Sequence, residues 1–382
     1  MTKKLGLLTF HAAHNCGSML QAFALQSILK NLGHDIQIIN FSNTNQKELY
    51  SIRYKNNSLK NILKNIITLP HTTKIKQTYQ SYENFLKTNF ILTPKSYHNI
   101  TELDEQLLGF DEYICGSDQI WNITIADGDD AYFLPFVKNH KKIAYAPSFG
   151  AKNPAKYSSE PQRYANFLNA FDSLSIRENN GKKWIKDLTG KTVPVLLDPT
   201  LLANYSLYLE TEQKIKTPKK FIFYYAPGYM KDLNKFVYQV SKRYHLPVIV
   251  FNAKQYYVKH LKKYGFILPE DENPSVYLYL MHHAELIFTT SFHGTIFSTI
   301  YHKKFWTLKN GGMFGDDDRV LTLMSQLGIE DRLILPKNTK TFDFFQLPDY
   351  TTYKKNLTNL QEISLNYLSD AINAKYPGES HV

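Results

Sequence analysis

Phe288-Thr289-Thr290-Ser291-Phe292-His293-Gly294-Thr295 passes from an apolar run, Ala284 to Phe288, into small hydroxyl residues, one histidine and one glycine. From Thr295 onward Ile296, Phe297, Ile300 and Tyr301 recur at helical spacing, so the pattern predicts a strand, a tight turn and a helix. In an open α/β sheet, ligands collect at the carboxyl ends of strands, opposite helix N-termini whose free N–H groups attract anions. A histidine placed there can be a charge partner and a proton donor at once. The alternative is a helix start that carries a structural histidine.

The same rhythm extends in both directions. Upstream, Phe221 to Tyr225 and Pro247 to Phe251 read as strands flanking a helix from Met230 to Tyr244, and Ser275 to His282 reads as helical. Downstream come a strand from Lys304 to Leu308, a Gly/Asp loop from Gly311 to Asp318, a helix from Arg319 to Leu327 and a terminal helix from Leu357 to Ala374. The N-terminus opens with a complete βαβ unit: a strand from Leu5 to Phe10, the turn His11 to Ser18, a helix from Met19 to Leu32 stopped by Gly33, and a strand from Ile36 to Phe41. Further strands follow at Tyr113 to Cys115, from Ile143, from Ser173, and from Val193 to Leu197. They end in Gly116-Ser117-Asp118-Gln119, Pro147-Ser148, Arg177-Glu178 and Asp198-Pro199-Thr200. The expected class is α/β, with two Rossmann-like domains facing a cleft. Residues 1–205 would form the first domain, 206–345 the second, and 346–382 a C-terminal helix.

At 382 residues the chain suits about two domains. Its formal charge of +11 favours an anionic partner. Much of that charge falls in an insertion at about 42–100, where nine Lys or Arg face two acids, Glu48 and Glu83, a balance of 9 − 2 = +7. Leu59, Ile62, Leu63, Ile66 and Ile67 there make an amphipathic helix with lysines on its other face. Such a segment can lie on an anionic membrane; the alternative is a solvated face on an inserted hairpin. No nucleic-acid recognition motif accompanies the charge. Cys16 and Cys115 stand in no ligand or disulfide spacing, the first residues read as a strand and not a leader, and no apolar run approaches the roughly 18 residues of a membrane span. The expected location is the cytoplasm, with peripheral contact at the inner face of the membrane as an option.

The strand-end groups Asn15, Ser117, Asp118, Gln119, Arg177, His293 and Arg319 are the candidate site. Two arginines and a histidine suit a small dianion, because arginine grips carboxylate and phosphate with a two-toothed fork. No Walker loop, strand-linked GxGxxG or GxSxG elbow appears. No metal is expected. His11 and His14 lack a third ligand, and the acidic run Asp316 to Asp318, which could hold Mg²⁺, reads rather as a solvated loop.

Six motifs stand in an order that resembles the polysaccharide pyruvyl transferase family, over about residues 5 to 332. They are Asn15 to Leu25, Gly116 to Asn122, Tyr145 to Gly150, Ser175 to Glu178, Leu197 to Thr200 and Ser291 to Gly294. The resemblance implies a GT-B-like fold and transfer of pyruvate from phosphoenolpyruvate to two hydroxyls of a sugar, with a cyclic ketal formed and phosphate released. It implies no cofactor beyond that co-substrate. His293 and Asp118 would then carry the acid and base chemistry, and Arg177, His293, Arg319, Ser291 and Gly294 would hold the donor. Asn15, Gly17, Ser18, Gln21, Ser117 and Gln119 would face the acceptor, a sugar or a lipid-linked oligosaccharide of a cell-surface polysaccharide such as capsule. A nucleotide-sugar glycosyltransferase and a non-catalytic glycan-binding protein are the alternatives.

Overall fold

The computed structural model describes residues 2–309, 317–336 and 342–374, and the loop expected from Gly311 lies largely outside them. Among the described residues ten strands form two five-stranded sheets. β1 (Lys4–Leu8), β2 (Asp35–Ile38), β3 (Glu112–Cys115), β4 (Lys141–Ala144) and β5 (Ser173–Leu174) make the first, in the order β2-β1-β3-β4-β5. β6 (Ile222–Tyr225), β7 (Val248–Val250), β8 (Leu286–Thr289), β9 (Phe305–Leu308) and β10 (Leu333–Ile334) make the second, in the order β10-β9-β8-β6-β7. Every pairing between these strands is parallel. Buried runs such as Leu5, Leu7 and Leu8 in β1 and Leu286 to Phe288 in β8 suit parallel strands covered on both faces by helices.

Read from its first βαβ unit, each sheet changes direction once: between β1 and β3 in the first, and between β6 and β8 in the second. Crevices open at such reversals, beyond the carboxyl ends of the strands. Asp118 follows β3 and His293 follows β8, so each half contributes one switch-point residue.

The expected strand from Val193 to Leu197 does not form. Only an isolated bridge pairs Ile176 with Val195. Pro194 interrupts the run and has no N–H for a ladder; its carbonyl accepts from Ile176 N at 3.1 Å.

Besides the packing of their facing helices, two described elements tie the halves together. The Tyr350–Asn373 helix begins seven residues before its expected start, where Asp349 caps Thr351 and Thr352. Its first turns hold the second half through Tyr353 Oη to Thr299 Oγ1 at 3.1 Å. Its last turns reach the first half, where Lys3 Nζ donates to Ile372 O and Lys141 Nζ to Ala374 O, each at 2.5 Å. The basic insertion is the second join. Its Leu59–Thr68 helix is the expected one, and the following Thr72–Asn89 helix buries Ile75, Tyr82 and Phe85. From that helix Lys74 Nζ donates to Glu270 O at 2.6 Å and Ser81 Oγ to Asp271 Oδ1 at 2.7 Å, while His71 stacks on Tyr257 with ring centroids 3.6 Å apart. The insertion is therefore a clasp between the halves and not a free hairpin. Among the described residues no helix is long and apolar enough to cross a membrane.

Candidate active site

The Gly116–Asp118 turn carries Asp118 off β3 with a left-handed φ of 67°, and Arg177 stands just past β5. From the second half, Ser291 caps the Phe292–Ile300 helix by accepting Gly294 N at 3.3 Å, which sets His293 in the first turn. These groups meet at a residue the strand-end inventory omits, Asp198. Its Oδ2 accepts from Arg177 Nη1 at 2.5 Å and lies 3.3 Å from His293 Nε2. Arg177 Nη2 also donates to Asp118 Oδ1 at 3.3 Å, and Ser18 Oγ to Asp118 Oδ2 at 2.6 Å. Asp118, Arg177, Asp198 and His293 are all buried.

Burial alone would raise both aspartates. At Asp198 the His293 imidazole and Arg177 guanidinium outweigh it, and at Asp118 Arg177 leads with His293 and Ser18 behind, so both carboxyls lie below the usual range. Glu178 goes the other way: burial pushes it up to about 7, although Arg177 and Arg319 oppose the rise. Phe149 N donates to its Oε1 at 2.8 Å, while Oε2 has no partner among the described residues. Arg177 Nε is likewise buried without a partner, and the guanidinium lies 4.3 Å from the centre of the Phe292 ring.

The remaining sequence candidates divide into two groups. Arg319 is close enough to interact electrostatically with Glu178 and Asp118, and Asp317 holds it through Nε and Nη2, each at 2.9 Å. Both arginines are thus already matched by carboxylates, where the sequence suggests free cations. Gly17 lies under His293: a Cβ added there would come 2.3 Å from Nδ1. Asn15 caps the Cys16–Asn31 helix by accepting from Gly17 N and Ser18 N. Gln21 and Ser117, in contrast, have no exposed surface. Gln21 Nε2 donates to Thr9 Oγ1 at 2.8 Å and its Oε1 accepts from Ser117 N at 3.0 Å, so the pair forms the floor of the site. A Cβ on Gly294 would strike Thr289 Oγ1 at 2.1 Å, which makes Gly294 the close approach of helix to strand. Gln119 is half-buried and accepts from Asn122 Nδ2 at 3.3 Å.

Beside the cluster, between the clasp and the second half, lies a cavity of about 300 Å³. Asn15 lines it together with His14, Tyr50, Tyr79, Tyr225, Lys254 and Glu272. His14 Nε2 bonds Glu83 at 2.8 Å and its ring stacks on Tyr82. Burial pushes Glu272 up to about 7 against the pull of Lys74, and lowers Lys254 to about 8. Aromatic faces with hydrogen-bonding edges suit a sugar ring.

A family model for polysaccharide pyruvyl transferase matches residues 15–312. The chain belongs to that family. No curated protein sequence matches this polysaccharide pyruvyl transferase family member. Among solved structures it is similar to UDP-GlcNAc 2-epimerase from Neisseria meningitidis, with 12% identity and a TM-score of 0.50, over 97% of this chain and 100% of that one. It is also similar to a Listeria monocytogenes protein assigned as UDP-N-acetylglucosamine 2-epimerase, with 9% identity and a TM-score of 0.54, over the whole of both chains. At such identities the likeness speaks for the fold alone, which is GT-B-like: two α/β halves built on parallel sheets.

His11 places Nδ1 3.2 Å from Thr9 O and Nε2 3.2 Å from Asn40 Oδ1, so it shares no ligand position with His14. Asp317 is engaged by Arg319, and Asp318 Oδ2 accepts from Asn180 N and Thr322 Oγ1; Asp316 lies outside the described residues. Glu212, His282 and His283 cluster at the end of the Pro274–His283 helix, where His282 Nδ1 pairs with Glu212 Oε1 at 2.8 Å and His283 Nδ1 with Tyr279 O at 2.9 Å.

Proposed function

We propose that this family member transfers pyruvate from phosphoenolpyruvate to two hydroxyls of a sugar in a cell-surface polysaccharide precursor. The observation that carries the reading is the buried Arg177–Asp198–His293 unit, which joins a switch-point histidine of one half to an arginine of the other. In the reaction C3 of phosphoenolpyruvate gains a proton and becomes a methyl group, and a sugar hydroxyl attacks C2. The C2–O bond to phosphate then breaks, and a second hydroxyl closes the ketal. Of the two hydroxyl protons, one balances the proton gained by C3 and the other leaves on phosphate.

Asp198 holds Nε2 of His293, so Nδ1, over Gly17, is the nitrogen free to exchange a proton. The low carboxyl of Asp118 and its contacts with Ser18 and Arg177 suit it to anchoring an acceptor hydroxyl better than to abstracting a proton. The unpartnered Nε of Arg177, the start of the Phe292–Ile300 helix and Arg319 would receive the donor's carboxylate and phosphate. The aromatic groove would take the acceptor, and no cofactor is required.

Calorimetry with phosphoenolpyruvate tests this, using the wild type, Arg177→Lys and His293→Gln. Binding by the wild type, weakened by about 2 kcal/mol in the folded variants, is the expected result. A folded wild type that ignores phosphoenolpyruvate and binds a nucleoside diphosphate sugar would replace this reading with glycosyl transfer.

A further inference from the structure

The Leu59–Thr68 helix presents its apolar face outward. Leu59 is 87% exposed, Leu63 57%, Ile66 61% and, one residue past the helix, Leu69 60%. Helices normally turn such a stripe toward a core, and a contiguous exposed one marks a surface that meets something else. The opposite side of this helix packs on the second half, beside the Ala253–Val258 helix, and among the described residues the outward face stays uncovered.

Cations rim the stripe from both halves. Lys55 and Lys60 are exposed, and the half-buried Lys64 lies with its Nζ 4.6 Å from the centre of the Tyr54 ring. Across a shallow depression shared with Ile66 and His71, the second half adds His260, Lys262 and Lys263. The 42–100 segment carries +7, and 253–263 adds four lysines with no acid. This surface exists only because the clasp is docked.

We propose that this composite face lies on an anionic phospholipid bilayer, with Leu59, Leu63, Ile66 and Leu69 entering the headgroup boundary and the lysines contacting lipid phosphates. Charge decides the occupant. A second copy seated by symmetry on the same face would bring lysine rims against each other, whereas an anionic bilayer satisfies both the stripe and its rim. The recess beneath the helix shares Ile52 and Ile75 with the aromatic groove, so docking brings the groove mouth close to the lipid surface.

The test is co-sedimentation of the full chain with vesicles of about one-third phosphatidylglycerol in phosphatidylcholine, and with phosphatidylcholine alone, at about 0.1 M salt. The wild type is expected to sediment with the anionic vesicles only. Leu63→Ser/Ile66→Ser and, independently, Lys60→Glu/Lys64→Glu should each lower the partition at least about tenfold while circular dichroism stays unchanged. A wild type that remains in the supernatant overturns the proposal, as do folded variants that partition like it. So does a wild-type dimer in sedimentation velocity that Leu63→Ser/Ile66→Ser abolishes, because the face would then be a self-association surface.

Discussion

Nε2 of His293 lies 3.3 Å from Oδ2 of Asp198, an oxygen that also accepts Arg177 Nη1 at 2.5 Å. One carboxylate oxygen therefore couples a histidine of the second half to an arginine of the first. The other oxygen accepts Thr200 Oγ1 at 2.7 Å and Thr200 N at 3.1 Å, which fixes the carboxylate plane. Histidine orientation is thereby tied to the packing of the two halves.

Arg177→Met should destabilise the fold by about 3–5 kcal/mol, because it leaves the buried carboxylates of Asp118 and Asp198 facing each other without their cation. Adding Asp198→Asn should recover part of that loss. Urea denaturation of the single and double variants measures both; a single variant as stable as the wild type would show that the pair has no structural weight.

Gly17→Ala should cost about a hundredfold in kcat and lower stability by about 1–3 kcal/mol, since the added methyl meets Cβ and Cγ of His293 as well as its ring nitrogen. The new Cβ would reach 2.3 Å from His293 Nδ1, so the imidazole must move, and displacements of about 1 Å have effects of this size. Phosphate release from phosphoenolpyruvate in the presence of acceptor is the assay. Unchanged turnover would separate His293 from the chemistry.

The contribution of Glu178 and Glu272 to stability should fall as pH rises from about 4.5 to about 7, while buried His11, whose pKa burial lowers, contributes in the opposite direction. Burial raises Glu178 and Glu272 from the ordinary 4.5 to about 7, so the folded chain keeps two protons that the unfolded chain has released across that window. Glu272→Gln should remove its share, about 3 kcal/mol at one unit per 1.36 kcal/mol. Denaturation curves at the two ends of the window decide: profiles that run parallel in wild type and variant would mean Glu272 ionises normally.

Tyr79→Ala should raise KM for the acceptor about tenfold and leave phosphoenolpyruvate affinity unchanged, since Tyr79 lines the groove and stands against His14 with ring centroids 4.7 Å apart. Equal loss of both affinities would mean that the groove and the cluster are one site.

The α/β rhythm and the strand-end places of Asp118, Arg177 and His293 were legible because each follows from a local pattern: an apolar run, a polar turn, a helical period; that Asp118 and His293 stand at switch points depends on the strand order of the folded sheets. Asp198 was harder to find. Asp198-Pro199-Thr200 has the form of a helix start, and the residue does cap Thr200 N, so nothing local reveals that its other oxygen meets Arg177 and His293. Gln21, within the Cys16–Asn31 helix, and Ser117, after β3, show a related limit: their polarity is visible in the sequence, whereas their burial and the bond between them are not.

Periodicity by itself determined that Leu59, Ile62, Leu63 and Ile66 share one helical face, with lysines on the other. Tertiary structure alone decided that this face points outward, that the insertion clasps the second half, and that the terminal helix returns to Lys3 and Lys141. The physical reason is common to all three. Backbone hydrogen bonding and side-chain spacing act over a few residues and can be read in order along the chain, whereas which surface covers which depends on contacts between segments hundreds of residues apart.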